Sequence, residues 1–113
     1  MMQHATTQTH WAKIFMAGDI AIAKQTIRQF CMQKGLCVTV QPADYIYTGG
    51  EEAGFIVGLI NYPRFPSTPE KIDSTAHALA SDLMHVCCQH SYTIMTPQET
   101  NWFSRRDYGP GKA

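Results

Sequence analysis

The alternation of apolar and polar residues divides the chain into short elements. Residues 11–17 are rich in bulky apolar side chains and predict a first strand. Gly18 and Asp19 break that pattern and offer a helix cap. Apolar residues then recur at helical spacing from Ile20 until Gly35 supplies a C-terminal stop. The chain therefore starts with a strand followed by a helix.

Two strands joined by a glycine turn are expected next. Apolar and polar residues alternate over 36–41, and residues 55–60 form a second apolar run. If Gly49-Gly50 is a two-residue turn, Val40 lies opposite Leu59. In that register the apolar side chains of both strands share one face, which supports the hairpin.

A second helix and a fourth strand complete the pattern. Residues 67–70, Ser-Thr-Pro-Glu, combine a capping hydroxyl, a proline suited to the first turn and an acid that complements the helix dipole. An apolar stripe follows over 72–87, and residues 92–96 read as a strand ended by Pro97. Residues 100–104 predict either a short extra strand or an ordered return.

The order βαββαβ is the split βαβ pattern, so the chain resembles the ferredoxin-like fold. This α+β fold is a sandwich in which a four-stranded antiparallel sheet carries both helices on one face. The other face is left for a ligand, RNA or a second subunit. We expect a disordered N-terminal tail over residues 1–9, a single domain over 10–106 and a flexible C-terminal tail over 107–113.

Composition narrows the classes of partner. The 113 residues suit one domain, and nine Lys and Arg balance nine Asp and Glu, which argues against nucleic acid and anionic membranes as partners. Only 16% of residues are charged, against about 25% in typical soluble domains, and this favours a homodimer. No apolar run approaches the ~18 residues of a membrane helix and no signal peptide opens the chain, so we expect a cytoplasmic protein.

Cysteine and histidine spacing argues against a metal site. The four cysteines, without a secretory context, are expected to be reduced and mostly buried thiols. His85, Cys87, Cys88 and His90 cluster in sequence, but Cys87 falls on the apolar stripe and Cys88 points about 100° away from it. We therefore expect no metal and no cofactor.

The glycine-rich segment is not a phosphate-binding loop. A strand follows Gly49-Gly50, and the Lys-Ser/Thr pair of a P-loop is absent. Glu51 and Glu52 are adjacent on a strand and point to opposite faces, so they are interpreted as a solvated hairpin tip. No nucleophile elbow is present, and no residue is assigned a catalytic role.

Helix-cap and loop residues offer an anion site instead. Asp19 caps the first helix next to Gly18, and three arginines lie in loop or terminal segments. Among them, Arg64 lies in a proline-stiffened loop between Tyr62 and Phe65, the form expected of a recognition loop. The residues expected to bind a ligand or partner are Gly18, Asp19, Tyr45, Tyr47, Tyr62, Arg64, Phe65, Arg105 and Arg106.

Two resemblances bear on function. The strands "IFMAGDI" and "GFIVGLI" resemble the paired motifs of RNA-recognition domains, but Ala53, Val57 and Ile60 replace the basic and aromatic residues of that family. The segment "YTGGEEAGFIVGLINYPRFPSTPE" resembles stretches of small uncharacterised proteins encoded by tailed bacteriophages. That resemblance implies an accessory or counter-defence role in the host cytoplasm.

Three hypotheses follow for the function. The first is a small, non-enzymatic, homodimeric binding protein that captures a host protein or a small anionic ligand. The second is a small enzyme that uses the anion site and a histidine. The third is a degenerate RNA binder.

Overall fold

The structure, a computed structural model, describes residues 1–106. In chain order the elements are β1 (Trp11–Ala17), α1 (Ile20–Lys34), β2 (Thr39–Tyr47), β3 (Gly50–Ile60), α2 (Pro69–Val86), β4 (Ser91–Met95) and β5 (Thr100–Ser104). The strands form one antiparallel sheet in the order β2-β3-β1-β4-β5. Within this part of the chain, neither helix is both long and apolar enough to cross a bilayer.

The α+β architecture with two helices is confirmed, but the expected number of strands is wrong. The sheet has five strands rather than four, because β5 pairs with β4 along its whole length. Thr96 closes the turn between them: its hydroxyl accepts the backbone N–H groups of Gln98 and Glu99, both at 3.3 Å. A side-chain cap of this kind satisfies the turn locally and lets the chain return as a strand.

Both helices contribute to one core on one face of the sheet. Buried and less buried residues alternate along β1, so that Ala12, Ile14 and Met16 point inward. The rest of the core consists of Phe55, Val57 and Leu59 from β3, Ala23, Ile27 and Phe30 from α1, Ile72, Ala76, Leu79, Ala80 and Leu83 from α2, and Ile94 from β4. Within residues 1–106 no helix covers the other face, which we call the open face.

Both helices begin where the sequence predicts. The Asp19 carboxylate accepts the N–H groups of Ala21 at 2.8 Å and Ile22 at 3.4 Å, and Gly35 ends α1 with φ 66°. The Thr68 hydroxyl accepts the N–H of Lys71 at 3.1 Å to start α2. Each cap is formed by residues a few positions apart, so it can be predicted from the local sequence.

The hairpin register differs from the predicted one by two residues. Tyr47 pairs with Gly50 and Val40 with Val57, so the turn is Thr48-Gly49, with Gly49 at φ 89°. A Cβ at Gly50 would lie 2.8 Å from the Tyr47 ring, so a larger residue there would displace this side chain. A shift of two keeps every side chain on its predicted face.

Asn61 ties the start of the chain to the loop after β3. Its backbone N–H donates to the carbonyl of His10 at 2.9 Å, and its side-chain amide donates to the carbonyl of Gln8 at 2.8 Å. Its Oδ1 accepts the N–H of Ser67 at 2.8 Å. The division into a tail over 1–9, a domain over 10–106 and a tail over 107–113 stays a prediction, and the last of these ranges lies outside the described residues.

Candidate functional site

A groove of about 540 Å³ lies at the hairpin end of the sheet. The end of β1, the β2–β3 hairpin, the start of β4 and the end of β5 contribute to it. Its volume is within the range of small-molecule sites. The side chains that define this hairpin-end groove are Phe15, Tyr45, Tyr47, Glu52, His90, Trp102 and Arg106.

Tyr45 forms a fixed part of the groove floor. Its hydroxyl accepts the N–H of Met16 at 3.2 Å and donates to the carbonyl of Phe55 at 2.6 Å. Met16 and Phe55 are paired residues of β1 and β3, so the hydroxyl links these strands. A Cβ at Gly54 would lie 2.7 Å from the Tyr45 ring and against the Met16 carbonyl oxygen, so glycine makes room for the ring.

Burial raises the pKa of Tyr45 more than its hydrogen bond from Met16 lowers it. The phenol is therefore protonated at neutral pH, with its proton committed to a backbone carbonyl. These two bonds give Tyr45 a structural role in shaping the floor.

Tyr47 and Glu52 form a polar pair on the groove wall. The Tyr47 hydroxyl donates to Glu52 Oε1 at 2.8 Å. The pairing of Tyr45 with Glu52 and of Tyr47 with Gly50 makes Tyr47 and Glu52 diagonal neighbours on the open face. The hydrogen bond to the carboxylate, followed by burial and the carboxylate charge, raises the pKa of Tyr47. The phenol therefore stays a donor and orients the carboxylate.

Sequence reasoning placed Glu51 and Glu52 on opposite faces, interpreted both as a solvated hairpin tip and assigned neither to the site. The register separates them, because Glu52 pairs with Tyr45 and lines the groove whereas Glu51 pairs with Ile46. The missed signal was that Glu52 shares its face with Tyr45 and Tyr47, which were already predicted to bind a ligand or partner.

Basic residues lie on the opposite wall of the groove. His90 and Arg106 line it, and the Arg106 backbone N–H donates to the Ser104 hydroxyl at 3.0 Å. Arg105 has a structural contact instead: its guanidinium donates to the carbonyl of Gln89 at 2.7 Å. The groove thus places a carboxylate on one wall and two basic side chains on the other.

The predicted binding residues do not form one site. Tyr45, Tyr47 and Arg106 meet in the hairpin-end groove, whereas Tyr62 and Phe65 line a separate cavity at the other end of the sheet. The remaining four lie apart from both cavities: Gly18 and Asp19 at the α1 cap, Arg64 with its guanidinium 5.9 Å from the Phe65 ring, and Arg105 at the end of β5. Ligand contact by any of the nine stays a prediction.

The cysteines are free thiols of two kinds. Cys31 and Cys87 are half-buried, and burial is the main cause that raises the pKa of each, which disfavours the reactive thiolate. Cys37 and Cys88 are exposed, so the expectation of mostly buried thiols holds for only two of the four. Across residues 1–106 no three His, Cys, Asp or Glu side chains are grouped to hold a metal ion.

No protein-family model matches the sequence, and no curated protein matches it. A solved structure of a phage SAM lyase in its apo state matches with a TM-score of 0.69 and 16% identity, over 96% of this chain and 99% of that one. A phage SAM lyase in complex with S-methyl-5′-thioadenosine matches with a TM-score of 0.62, at the same identity and coverage. The chain therefore has the fold of these lyases.

These similarities correct the functional expectation. Both neighbours are enzymes, which contradicts the first hypothesis of a non-enzymatic binding protein. Of the three hypotheses, the small enzyme fits better. Both neighbours are phage proteins, in agreement with the resemblance to small proteins of tailed bacteriophages.

Proposed function

We propose that this protein is a lyase that cleaves S-adenosylmethionine (SAM), or a closely related sulfonium nucleoside, in the hairpin-end groove. The observation that carries the proposal is the shared fold over 96% of the chain with a phage SAM lyase, one form of which binds S-methyl-5′-thioadenosine. The groove of about 540 Å³ supports it, because that volume suits a nucleoside of this size.

The chemistry of the neighbour's ligand suggests which bond would break. S-methyl-5′-thioadenosine is SAM without its aminobutyrate chain, so its release requires cleavage of the bond between sulfur and that chain. The electron pair of this bond stays on sulfur, and the cationic sulfonium becomes a neutral thioether. A lyase adds no water, so the new bond to the departing carbon forms within the substrate. Either the substrate's own carboxylate oxygen attacks that carbon and closes a lactone, or the adjacent carbon gives up a proton to a base and its C–H electron pair forms a double bond.

The groove residues suit two of the charged groups of such a substrate, the sulfonium and the carboxylate. The Glu52 carboxylate, held by the Tyr47 hydroxyl at 2.8 Å, would attract the sulfonium. The rings of Phe15 and Tyr47 add attraction for a cation through their faces. Arg106 on the opposite wall would bind the substrate carboxylate. Holding both charged groups fixes the geometry of the reacting chain.

His90 is our candidate for the histidine of the second hypothesis, the small enzyme. It lines the groove beside Arg106 and can bind the carboxylate or accept a proton from the departing chain. The predicted anion site at Gly18 and Asp19 has no part in this proposal. Its helix N–H groups are used by the Asp19 carboxylate itself.

The test is direct conversion of SAM. Purified protein incubated with SAM should form S-methyl-5′-thioadenosine, measured by liquid chromatography with mass detection. Glu52→Gln, which keeps the side-chain size, should lower kcat/KM by about 100-fold or more, the magnitude expected when a key electrostatic group is lost. Glu51→Gln is the matched control and should change kcat/KM less than about threefold. A protein that leaves SAM intact at equimolar concentration, and does not bind the thioadenosine, would contradict the proposal.

We further infer that the fold is ferredoxin-like with one strand added at the edge. The βαββαβ order and the spatial order β2-β3-β1-β4 support this assignment. A cytoplasmic homodimer remains our proposal for its working state. The low charged share and the 75% exposure of Ile46 on the edge strand β2 support association, and sedimentation at micromolar concentration tests it.

A further inference from the structure

A second cavity, of about 490 Å³, lies at the opposite end of β3 from the hairpin. We call it the loop-end cavity. It is enclosed by the C-terminal end of α1, the N-terminal half of α2 and the loop over residues 61–68. Core residues Phe30, Leu59 and Ile72 form its floor. A cavity of this size accommodates a small organic molecule.

The loop wall of this cavity is rigid. Asn61 Oδ1 accepts the N–H of Ser67 at 2.8 Å, and the N–H of Phe65 donates to the carbonyl of Tyr62 at 3.1 Å. Pro63 and Pro66 restrict the backbone between these contacts. Little conformational entropy would therefore be lost when a ligand contacts this wall.

The walls expose apolar surface that a ligand could bury. Phe65 is 59% exposed and lines the cavity together with Pro66 of the same loop. The Phe65 ring lies 6.1 Å from the Tyr62 ring, so the aromatic surface is continuous. Leu36 adds an aliphatic side chain across the cavity. This apolar surface would bind the body of an organic molecule through the hydrophobic effect.

The charge at the mouth of this cavity has one sign. Lys34 and Lys71 line it, and no carboxylate does. The Lys34 ammonium lies 6.0 Å from the centre of the Phe30 ring, at the cavity floor. Across residues 1–106 the single ion pair joins His10 to Asp73, so neither lysine has a carboxylate partner within 4.0 Å. A cationic ligand would be repelled here and an anionic one attracted.

We propose that the loop-end cavity binds a small organic monoanion, with its carboxylate or sulfonate between Lys34 and Lys71 and its apolar body against Leu36 and Phe65. The site is separate from the hairpin-end groove and does not depend on SAM cleavage. Its ligand class is also opposite in charge to the sulfonium substrate proposed for the groove.

The probe is 1-anilinonaphthalene-8-sulfonate, an aromatic monoanion that fluoresces when it leaves water. The native protein should bind it saturably at one site, and rising salt should weaken the binding because the lysines are exposed to screening. Amide shifts in a nitrogen-edited spectrum should locate the probe at Gly35 and Ser67. Excess S-methyl-5′-thioadenosine should not displace it.

The variants separate this site from surface charge in general. Lys34→Gln with Lys71→Gln should weaken binding about three- to tenfold and remove most of its salt dependence. Lys24→Gln with Arg28→Gln makes an equal charge change on the exposed side of α1. This control should leave the affinity for the probe within about twofold of the native value. Ala78→Phe, placed at the cavity wall, should block the probe while the circular dichroism spectrum stays native.

Three results would overturn the proposal. They are absence of saturable binding to the native protein, equal affinity in the Lys34/Lys71 variant and its control, and displacement of the probe by S-methyl-5′-thioadenosine. Because the probe and the spectrum do not report SAM cleavage, failure here is distinguishable from failure of the lyase assignment.

Discussion

The two ends of β3 carry cavities of similar size that differ in their charged groups. At the hairpin end, the Tyr47–Glu52 pair presents a carboxylate across from His90 and Arg106. At the loop end, two lysines and no carboxylate surround an apolar cavity. The sheet supplies the same scaffold to both ends, so the placement of charge, rather than the fold, decides which ligand each end can take.

Each end is also organised by one polar side chain that bonds backbone groups. Tyr45 links β1 to β3 beside the hairpin-end groove, and Asn61 links the N-terminal segment to the loop at the other end. Tyr45 acts between strands whose ladder already holds them. Asn61 holds segments without regular structure, so the loop end depends more on its single side chain.

The largest expected effect is on enzymatic activity, which should depend on the charged residues of the hairpin end and not on those of the loop end. Glu52→Gln should remove about 100-fold or more of the SAM-cleaving kcat/KM, since it takes away the charge that faces the sulfonium. Lys34→Gln with Lys71→Gln should leave kcat/KM within about twofold, because those charges line a different cavity. Steady-state assays measure kcat/KM for both variants. An equal loss of activity in the lysine variant would contradict the claim that only the hairpin end takes part in SAM cleavage.

Glycine-to-alanine substitutions should destabilise the protein more at the hairpin end of β3 than at the loop end. Gly54→Ala should lower the free energy of unfolding by about 3 kcal/mol, since the new methyl would meet the Met16 carbonyl, the Ala17 Cα at 2.7 Å and the Tyr45 ring. Gly58→Ala should have a smaller effect, about 1 kcal/mol. There the close atom is the Thr39 hydroxyl at 2.5 Å, which can rotate away. Urea denaturation checks the order, and equal midpoints would show that the hairpin end is not the tighter one.

Removal of the two organising side chains should loosen different regions. Tyr45→Phe leaves the Met16 N–H and Phe55 carbonyl without this partner and should destabilise the protein by about 1–2 kcal/mol. Asn61→Ala should have an effect of similar size. Hydrogen exchange distinguishes them: Tyr45→Phe should speed exchange at Met16, and Asn61→Ala at Ser67. Uniform acceleration in both variants would contradict separate roles.

The smallest expected effect is on the titration of Tyr47. Its folded-state pKa is raised above the ordinary value of 10.0, chiefly by the hydrogen bond to Glu52. The associated stability is therefore fully present below that ordinary value and is lost as pH rises through the folded pKa. Absorbance at 295 nm should show one tyrosine that titrates earlier in Glu52→Gln and is absent in Tyr47→Phe. An unchanged titration in Glu52→Gln would show that the pair does not form in solution.

Local signals in the sequence predict much of the fold. Asp19, Gly35 and the residues around Thr68 mark helix ends through contacts with near neighbours. The hairpin register was missed by two because Gly49 and Gly50 both satisfy turn rules, whereas in the structure only Gly49 is in the turn and Gly50 pairs with Tyr47. The assignment of side chains to the two faces of the sheet was still correct, because a register shift of two residues leaves every side chain on the same face.

The site was less predictable because it depends on strand pairing. Tyr47 and Glu52 share a face in the predicted register and in the observed one, so alternation alone could have identified this pair. The position of Arg106 could not be derived in the same way. It requires β5 to return along β4, which the expected four-stranded sheet left out. His90 immediately precedes β4, which pairs with β1, so the first four strands alone bring it to the groove.

Titration of the isotopically labelled protein with S-methyl-5′-thioadenosine tests the central claim most directly. If the hairpin-end groove is the substrate site, amide shifts should concentrate at residues that line it, such as Met16, Ser91 and Thr93. Gly35 and Ser67, at the loop-end cavity, should not move. Shifts confined to the loop end, or no shifts at millimolar ligand, would contradict the assignment.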